Sequence, residues 1–290
     1  MAGFAQLVVE VFDPQRTAAV LARHGVTCAG AGTVFHQAYL AEQRRRGAGP
    51  IFPGIRSFPG GGAPKPPQLH YELKRELGGA GIVSGYGLTE HPIAVMGTVQ
   101  DADEKLALTE GRATPGTELR IAGPAGGVAR AGEEGEILVR GPHLFRGYVD
   151  AALDAEAFDA EGWLRTGDLG RLDSEGYLTI TGRLKDVIIR KGENLSAKEI
   201  EDELYEHPKV SDVAVIGLPD PASGERACAV VVCADPDDPL QMDEMGGFLA
   251  GRGLARQKIP EQLELAEELP RNASGKVLKR ELQTRYGGAP

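Results

Sequence analysis

Cysteine, long apolar runs and positive net charge are all scarce in this 290-residue sequence. Its three cysteines, Cys28, Cys228 and Cys233, are too few and too poorly spaced for a disulfide framework or a zinc site. No apolar run approaches the ~20 residues that a membrane-spanning helix requires. The formal net charge of −10 argues against a nucleic-acid partner. With no signal peptide expected at the N-terminus, a reducing, cytoplasmic location is the default.

Several generic catalytic motifs are also missing. The phosphate-loop pattern GxxxxGK[ST] fails because Pro270 holds its first glycine position and Val277 follows Lys276. The hydrolase pattern GxSxG fails because Ile82 stands where its first glycine belongs. HExxH is absent, and the six histidines are scattered along the chain. Simple hydrolases, P-loop enzymes and zinc enzymes are therefore excluded.

Glycine, by contrast, is abundant, with 40 residues beside 19 prolines. Together they make about a fifth of the chain, below the ~25–30% that indicates low complexity. The sequence is therefore expected to fold, with many tight turns or close backbone approaches. Its length predicts one or two domains.

Residues 1–95 alternate short apolar runs with amphipathic segments. The apolar runs at 7–12, 55–58 and 81–84 predict strands. Asp13 followed by Pro14 predicts the start of a helix that ends at Gly25, and further helices are predicted at 34–46 and 66–77. This alternation indicates an α/β layer with a mostly parallel sheet.

The pattern changes from about residue 96 to residue 181. Short strands are predicted at 118–121, 135–139 and 177–181, between turns rich in glycine, proline and aspartate. This section is interpreted as antiparallel, in a barrel-like or sandwich arrangement.

Beyond Asp186 the pattern changes again, to that of a compact α+β domain. Ser196 and Glu199 form a capping-box pattern that opens a helix at 197–206. Strands are predicted at 187–190, 210–218, 227–233 and 262–266, and further helices at 239–253 and 277–286. The boundary is placed between Leu184 and Lys185, which gives domains 1–184 and 185–290.

Four motif-bearing segments occur in order, at residues 60–64, 84–90, 162–168 with 182–186, and 270–276. Together they resemble the adenylate-forming enzymes, which include acyl-CoA synthetases, firefly luciferase and peptide-synthetase adenylation domains. The resemblance covers nearly the whole chain. It implies the α/β and barrel-like part of a large domain, truncated at its N-terminus, followed by a small, mobile α+β domain.

The family resemblance implies an acid–thiol ligase. Such enzymes join a small carboxylic or fatty acid to AMP from ATP with Mg²⁺, release pyrophosphate, and pass the acyl group to CoA. Lys185 favours a CoA ligase over a peptide-synthetase domain, in which aspartate is usual at that position.

The resemblance assigns one group of residues to the adenine, phosphate and metal. The AMP-binding residues would be Gly61, Gly62, Ala63, Pro64, Ser84, Gly85, Tyr86, Gly87 and Thr89. Tyr86 would stack on adenine, Thr89 would contact a phosphate, and Glu90 would hold Mg²⁺. A core tyrosine, an ordinary glycine-rich turn and surface polarity are the alternative interpretations.

A second group is assigned to the ribose and to catalysis. Asp168 would accept both ribose hydroxyls, Arg183 would contact ribose or phosphate, and Lys276 would neutralise charge near the α-phosphate. Lys185 would be the hinge, and Gly192, Glu193 and Asn194 would form a turn lining the CoA tunnel. A turn aspartate, surface ion pairs and exposed lysines are the alternatives.

The sequence departs from the family at its front. Family members are usually about twice as long and carry a Ser/Thr/Gly-rich loop, ending in Pro-Lys-Gly, around the ATP phosphates. Because this sequence contains no such loop, it resembles only the C-terminal half, and feeble adenylation is expected from the chain alone. A separately encoded N-terminal half, a homo-oligomer or a non-catalytic, adenylate-binding fragment are the alternatives.

Overall fold

The computed structural model describes residues 5–30, 32–47, 49–62, 65–123, 127–272 and 275–287. The chain divides into two compact units, Met1–Pro115 and Gly116–Pro290. In the described part of the chain, no helix has both the length and the apolar character needed to cross a bilayer.

The first unit combines four helices with a four-stranded sheet in its described residues. The helices are α1 (Pro14–Arg23), α2 (Thr33–Arg46), α3 (Pro67–Leu77) and α4 (Asp103–Leu108). The strands are β1 (Phe58–Gly60), β2 (Ile82–Leu88), β3 (His91–Met96) and β4 (Arg112–Ala113). The predicted α/β layer is confirmed, whereas α4 was not predicted.

The sheet of the first unit has the order β1-β2-β3-β4. Only β1 and β2 run parallel, while β2–β3 and β3–β4 are antiparallel. The predicted mostly parallel sheet is therefore wrong. The reason is that β2 and β3 are joined by a two-residue hairpin, which reverses the chain without a helical crossover.

Helix α1 begins where the sequence predicts. The Asp13 side chain accepts a hydrogen bond from Arg16 N at 2.7 Å, and Pro14 occupies the first turn. Helix α3 buries Leu69 and Leu73 completely against a core that includes Phe58 and Ile82. This core holds β1 and β2 side by side.

The strand predicted at residues 7–12 is not present. Residues 5–12 form no strand, and Val8 and Val11 remain 83% and 77% exposed. An apolar run becomes a strand only when another strand takes its backbone hydrogen bonds. None of the described strands pairs with this run.

The second unit contains two sheets. The first is four-stranded and antiparallel, in the order β5 (Glu118–Ala122), β6 (Gly135–Arg140), β7 (Leu164–Leu172), β8 (Leu178–Arg183). The short helix α5 (Asp154–Ala157) precedes β7. The antiparallel prediction is confirmed, but the barrel-like closure is wrong, because β5 and β8 are opposite edges that do not pair.

The second sheet has the order β10-β9-β12-β11, with β13 paired to β12. Its strands are β9 (Val187–Arg190), β10 (Glu193–Ser196), β11 (Val210–Asp220), β12 (Gly224–Cys233) and β13 (Gln262–Leu265). The accompanying helices are α6 (Ala197–Leu204), α7 (Met242–Gly251) and α8 (Lys279–Tyr286). The predicted α+β character of this section is confirmed.

Helix α6 begins at the N-cap that the sequence predicts. Ser196 Oγ accepts a hydrogen bond from Glu199 N at 3.3 Å, as an N-cap should. The carboxylate of Glu199 accepts from Lys258 Nζ, at 2.7 and 2.6 Å. Ser196 Oγ also donates to Thr181 O on β8 at 2.7 Å, which ties the two sheets together. The boundary at Lys185 falls inside this unit and stays a prediction.

Candidate active site

In the first unit, the two predicted glycine segments lie against each other. Gly60 pairs with Ser84 in the parallel β1–β2 ladder. A Cβ atom built on Gly61 would stand 2.7 Å from Gly85 O, closer than real Cβ atoms approach an oxygen. Only glycine at position 61 therefore allows the two backbones to meet. Gly62 is exposed beside this contact, while Ala63 and Pro64 lie outside the described residues.

Strand β2 carries the other predicted adenine-site residues. Ser84 is 3% exposed and Tyr86 is 8% exposed, whereas Gly85 and Gly87 retain more exposure. Most of the Tyr86 ring is therefore buried in the first unit. This burial agrees with the alternative interpretation of Tyr86 as a core residue, and its role as an adenine platform stays a prediction.

Thr89 and Glu90 form the two-residue turn between β2 and β3, where Leu88 pairs with His91. Thr89 is exposed and Glu90 is half-buried. Their hydroxyl and carboxylate oxygens suit a hard cation such as Mg²⁺. The described residues contain no group of three or more His, Cys, Asp or Glu side chains able to hold a metal. Mg²⁺ at Glu90 would therefore take its other oxygen ligands from phosphates and water.

His36, which no sequence motif indicates, contacts the backbone immediately before the glycine segment. It is 1% exposed, and its Nε2 lies 3.1 Å from Pro59 O. Because a carbonyl only accepts, Nε2 carries the proton and donates it. Burial lowers the pKa of the His36 imidazole from 6.5 to about 4. The ring is therefore neutral at pH 7.

His36 makes the first unit sensitive to acid. Because its folded-state pKa is below its unfolded value, the unfolded chain binds the extra proton, and stability is lost as pH falls from 6.5 towards 4. From pH 7.5 to pH 5 the expected loss is about 2 kcal/mol. Amide hydrogen exchange of α2 and β1 peptides at the two pH values measures it.

The control is His36→Gln, in which an amide nitrogen can donate to Pro59 O without titrating. Burial also lowers the pKa of His70, so the variant should keep a smaller pH dependence in the same direction. An equal pH dependence in wild type and His36→Gln would contradict the assignment.

In the second unit, Asp168 and Arg183 face each other across β7 and β8. Arg183 Nε donates to Asp168 Oδ1 at 2.5 Å. The Asp168 side chain is 12% exposed and that of Arg183 is 31% exposed. The two groups predicted to contact ribose and phosphate therefore lie together, with a partly accessible ion pair between them.

The Lys276 ammonium group interacts electrostatically with this ion pair. Burial and the positive charge of Arg183 lower the pKa of Lys276, and the negative charge of Asp168 opposes that shift. Lys185 and Asp186 also act on this ammonium group. Electrostatic interaction in the second unit thus links Lys276, the predicted catalytic residue, to Asp168, Arg183 and Lys185, which the sequence assigns to ribose binding and the hinge.

The predicted CoA-tunnel turn differs in detail. Lys191 and Gly192 form the turn between β9 and β10, and both have positive φ angles, 51° and 80°. Glu193 and Asn194 pair with β9 as strand residues, so their placement in a turn is wrong. Since β9 has four residues, it separates this exposed turn from the Lys185 end by about 13 Å.

Comparison with protein-family models identifies the chain. Residues 1–149 match the AMP-binding enzyme model, and residues 199–276 match the model of the AMP-binding enzyme C-terminal domain. The chain belongs to the AMP-binding enzyme family. The resemblance predicted from the sequence is confirmed.

Curated relatives of this AMP-binding chain include CoA ligases. The medium-chain fatty-acid–CoA ligase of Escherichia coli strain K12 is 36% identical over 96% of this chain and 48% of its own length. The feruloyl-CoA synthase of an Amycolatopsis species is 36% identical over 98% of this chain and 57% of its own length. The chain therefore spans about half the length of the curated relatives it matches.

Solved structures confirm the adenylate-forming fold. ATP-bound MatB from Rhodopseudomonas palustris matches with a TM-score of 0.86 and 31% identity, over 97% of this chain and 54% of that one. O-succinylbenzoate CoA synthetase from Bacillus subtilis, in complex with ATP and a magnesium ion, matches with a TM-score of 0.79 and 33% identity, over 93% and 54%.

Proposed function

We propose that this chain supplies the adenylate-binding and lysine-bearing part of an AMP-forming acyl-CoA synthetase. The observation that carries the proposal is the Asp168–Arg183 ion pair of the second unit, whose two charges act on Lys276. One acceptor for ribose and two cations for phosphate are what an acyl-adenylate requires of its binding site.

The proposed reaction has two steps. A carboxylate oxygen of the acid attacks the α-phosphorus of ATP, the bond to the β-phosphate breaks, and pyrophosphate leaves. The thiolate of CoA then attacks the acyl carbon, and AMP leaves as the thioester forms. Lys276 would stabilise the charge that develops at the α-phosphate in the first step. Mg²⁺, held in part by Glu90, would supply charge neutralisation for the phosphates.

Asp168 and Arg183 would have to separate slightly when a nucleotide binds. The ribose hydroxyls would then donate to the Asp168 carboxylate, while Arg183 would remain near the phosphate as a cation. The exposed Lys191–Gly192 turn would act in the second step, and Lys185 would be the point about which the C-terminal segment rotates. These roles follow the family resemblance.

A binding-only or split-enzyme role is the second candidate. It is favoured by the exposed apolar side chains of Val8 and Val11, which suit contact with another polypeptide. In this case the chain would hold an adenylate and leave pyrophosphate release to a partner.

Calorimetry with a non-hydrolysable acyl-adenylate mimic tests both candidates. Wild-type chain should bind the mimic, and Asp168→Ala or Tyr86→Ala should weaken binding at least about tenfold, the effect of losing a hydrogen bond to a charged group or a stacking platform. Tyr71→Ala is the control, because Tyr71 is a 39% exposed tyrosine of α3.

The outcomes separate the two candidates. Binding together with thioester formation from preformed acyl-adenylate and CoA supports the synthetase. Binding without either half-reaction supports the second candidate. If the wild-type chain does not bind the mimic, or if Asp168→Ala and Tyr71→Ala behave alike, the adenylate site is wrong.

A further inference from the structure

The pairing of strand β7 with β6 becomes irregular at the segment that carries Asp168. Glu136 pairs with Leu169 and Leu138 pairs with Arg165, so three residues of β7, 166–168, stand opposite one residue of β6. Such bulges redirect side chains and occur next to active sites. Asp168, the last residue of the bulge, pairs with Arg183 on β8. The direction of the Asp168 carboxylate therefore depends on the shape of this bulge.

Side chains replace the ladder hydrogen bonds that the bulge interrupts. Thr166 Oγ1 donates to Ile137 O at 2.7 Å and accepts from Asp168 N at 3.1 Å. Gly167 has a φ of 70°, in the left-handed region that favours glycine, and its N donates to Glu136 Oε1 at 3.1 Å. The Thr166 side chain lies within the bulge, whereas Glu136 reaches it from the neighbouring strand.

The Glu136 side chain, on strand β6, contacts the bulge of β7. Its side chain is 15% exposed, and its second carboxylate oxygen lies 3.6 Å from Arg165 NH1. One carboxylate thus contacts the residues on both sides of Thr166. Without it, the half-buried Gly167 N–H would lose its acceptor, and the Arg165 guanidinium would lose its counter-charge.

We propose that Glu136 is the positioning residue for Asp168 in nucleotide binding. Its carboxylate holds Gly167 in the left-handed conformation, and this fixes the Asp168 carboxylate towards the cis hydroxyls of a ribose. Glu136 touches neither nucleotide nor acyl group. The inference rests on the proposed adenylate site and names the residue that gives that site its preference for ribose.

The preference for ribose over 2′-deoxyribose is the readout that a purely structural role would not change. The 290-residue chain is titrated with AMP and with 2′-deoxy-AMP by calorimetry. Wild type should prefer AMP about tenfold, as expected for one hydrogen bond to a charged group. Glu136→Ala should bind AMP about tenfold more weakly and lose most of this preference.

Two variants control the comparison. Glu136→Gln keeps an oxygen that can accept from Gly167 N, so it should remain within about threefold of wild type for both nucleotides. Glu118→Ala removes a 56% exposed carboxylate of the same sheet, paired with Arg140, and should change neither affinity. Fluorescence of Trp163, the single tryptophan, follows unfolding of the second unit in all variants.

Failure of the Glu136 proposal and failure of the proposed function give different results. If Glu136→Ala keeps the affinity and the preference of wild type, the proposal is overturned. If the wild-type chain binds neither nucleotide, the proposed function fails, and hydrogen exchange of the 164–170 segment then decides about Glu136. Faster exchange in Glu136→Ala than in Glu136→Gln supports its hold on the bulge, and equal exchange refutes it.

Discussion

Replacing Lys276 with alanine is expected to slow acyl-adenylate formation by about 10²–10³-fold, the effect of removing one preorganised charge-stabilising donor. The expectation rests on the proposed function and on the electrostatic interaction of Lys276 with Arg183 and Asp168. Thioester formation from preformed acyl-adenylate should change far less, because the α-phosphorus does not react in that step. Single-turnover assays of the two half-reactions measure this difference.

Lys279→Ala is the matched control. Lys279 lies three residues further along the chain, at the start of α8, and its Nζ lies 2.6 Å from Glu201 Oε1. Its loss removes an equal charge without affecting the Asp168–Arg183 pair. Equal losses in both half-reactions for Lys276→Ala, or equal effects of the two variants, would contradict the assignment of Lys276 to the first step.

The pH dependence of acyl-adenylate formation provides a second test of Lys276. Burial and Arg183 lower the pKa of Lys276, so this ammonium group loses its proton at a lower pH than an exposed lysine does. The rate of acyl-adenylate formation should therefore begin to fall at a lower alkaline pH than the pKa of a solvent-exposed lysine would predict.

Replacing Lys65 with methionine should destabilise the first unit by about 3 kcal/mol, within the range for removing one partner of a buried ion pair. Lys65 Nζ donates to Thr109 O at 2.9 Å and lies 3.8 Å from Glu110 Oε1. The two charged side chains are 5% and 16% exposed. Methionine fills similar space but leaves the carbonyl without this donor and the carboxylate without this cation.

Hydrogen exchange of α3 and α4 peptides measures the loss, because the single tryptophan lies in the second unit. Lys74→Met is the control, since the Lys74–Asp103 pair is exposed, at 39% and 48%, and should contribute less than about 1 kcal/mol. The double variant Lys65→Met/Glu110→Val should recover much of the stability, because an apolar pair replaces the buried charges. Equal effects of Lys65→Met and Lys74→Met would refute the buried-pair interpretation.

Local signals in the sequence predicted most of the helices correctly. The caps at Asp13 and Ser196 act within three residues, so their effect is readable without knowledge of the rest of the fold. Three of the four antiparallel strands described between residues 118 and 183 were likewise indicated by turns at their ends, whereas β7 was not predicted. The family motifs also indicate Asp168, Arg183 and Lys276 as candidate site residues, because each lies within a short and specific run of sequence.

Pairing and burial were less predictable. Residues 7–12 have the composition of a strand, yet nothing local shows whether another strand takes their hydrogen bonds. His36 and Lys65 look like ordinary polar residues in the sequence, and only packing shows that both are buried. A signal for Glu136 existed, since it is an acidic residue at the start of an apolar strand, but its partner Gly167 lies on another strand.

The sequence by itself determined the family, the chemical groups of the candidate site and the starts of the main helices, because motifs and caps involve neighbouring residues. Only the tertiary structure decided the mixed first sheet, the open second sheet, the bulge that contains Asp168 and the electrostatic interaction of Lys276 with the Asp168–Arg183 pair. These features depend on which distant segments meet, since strands need partners and charges act through space.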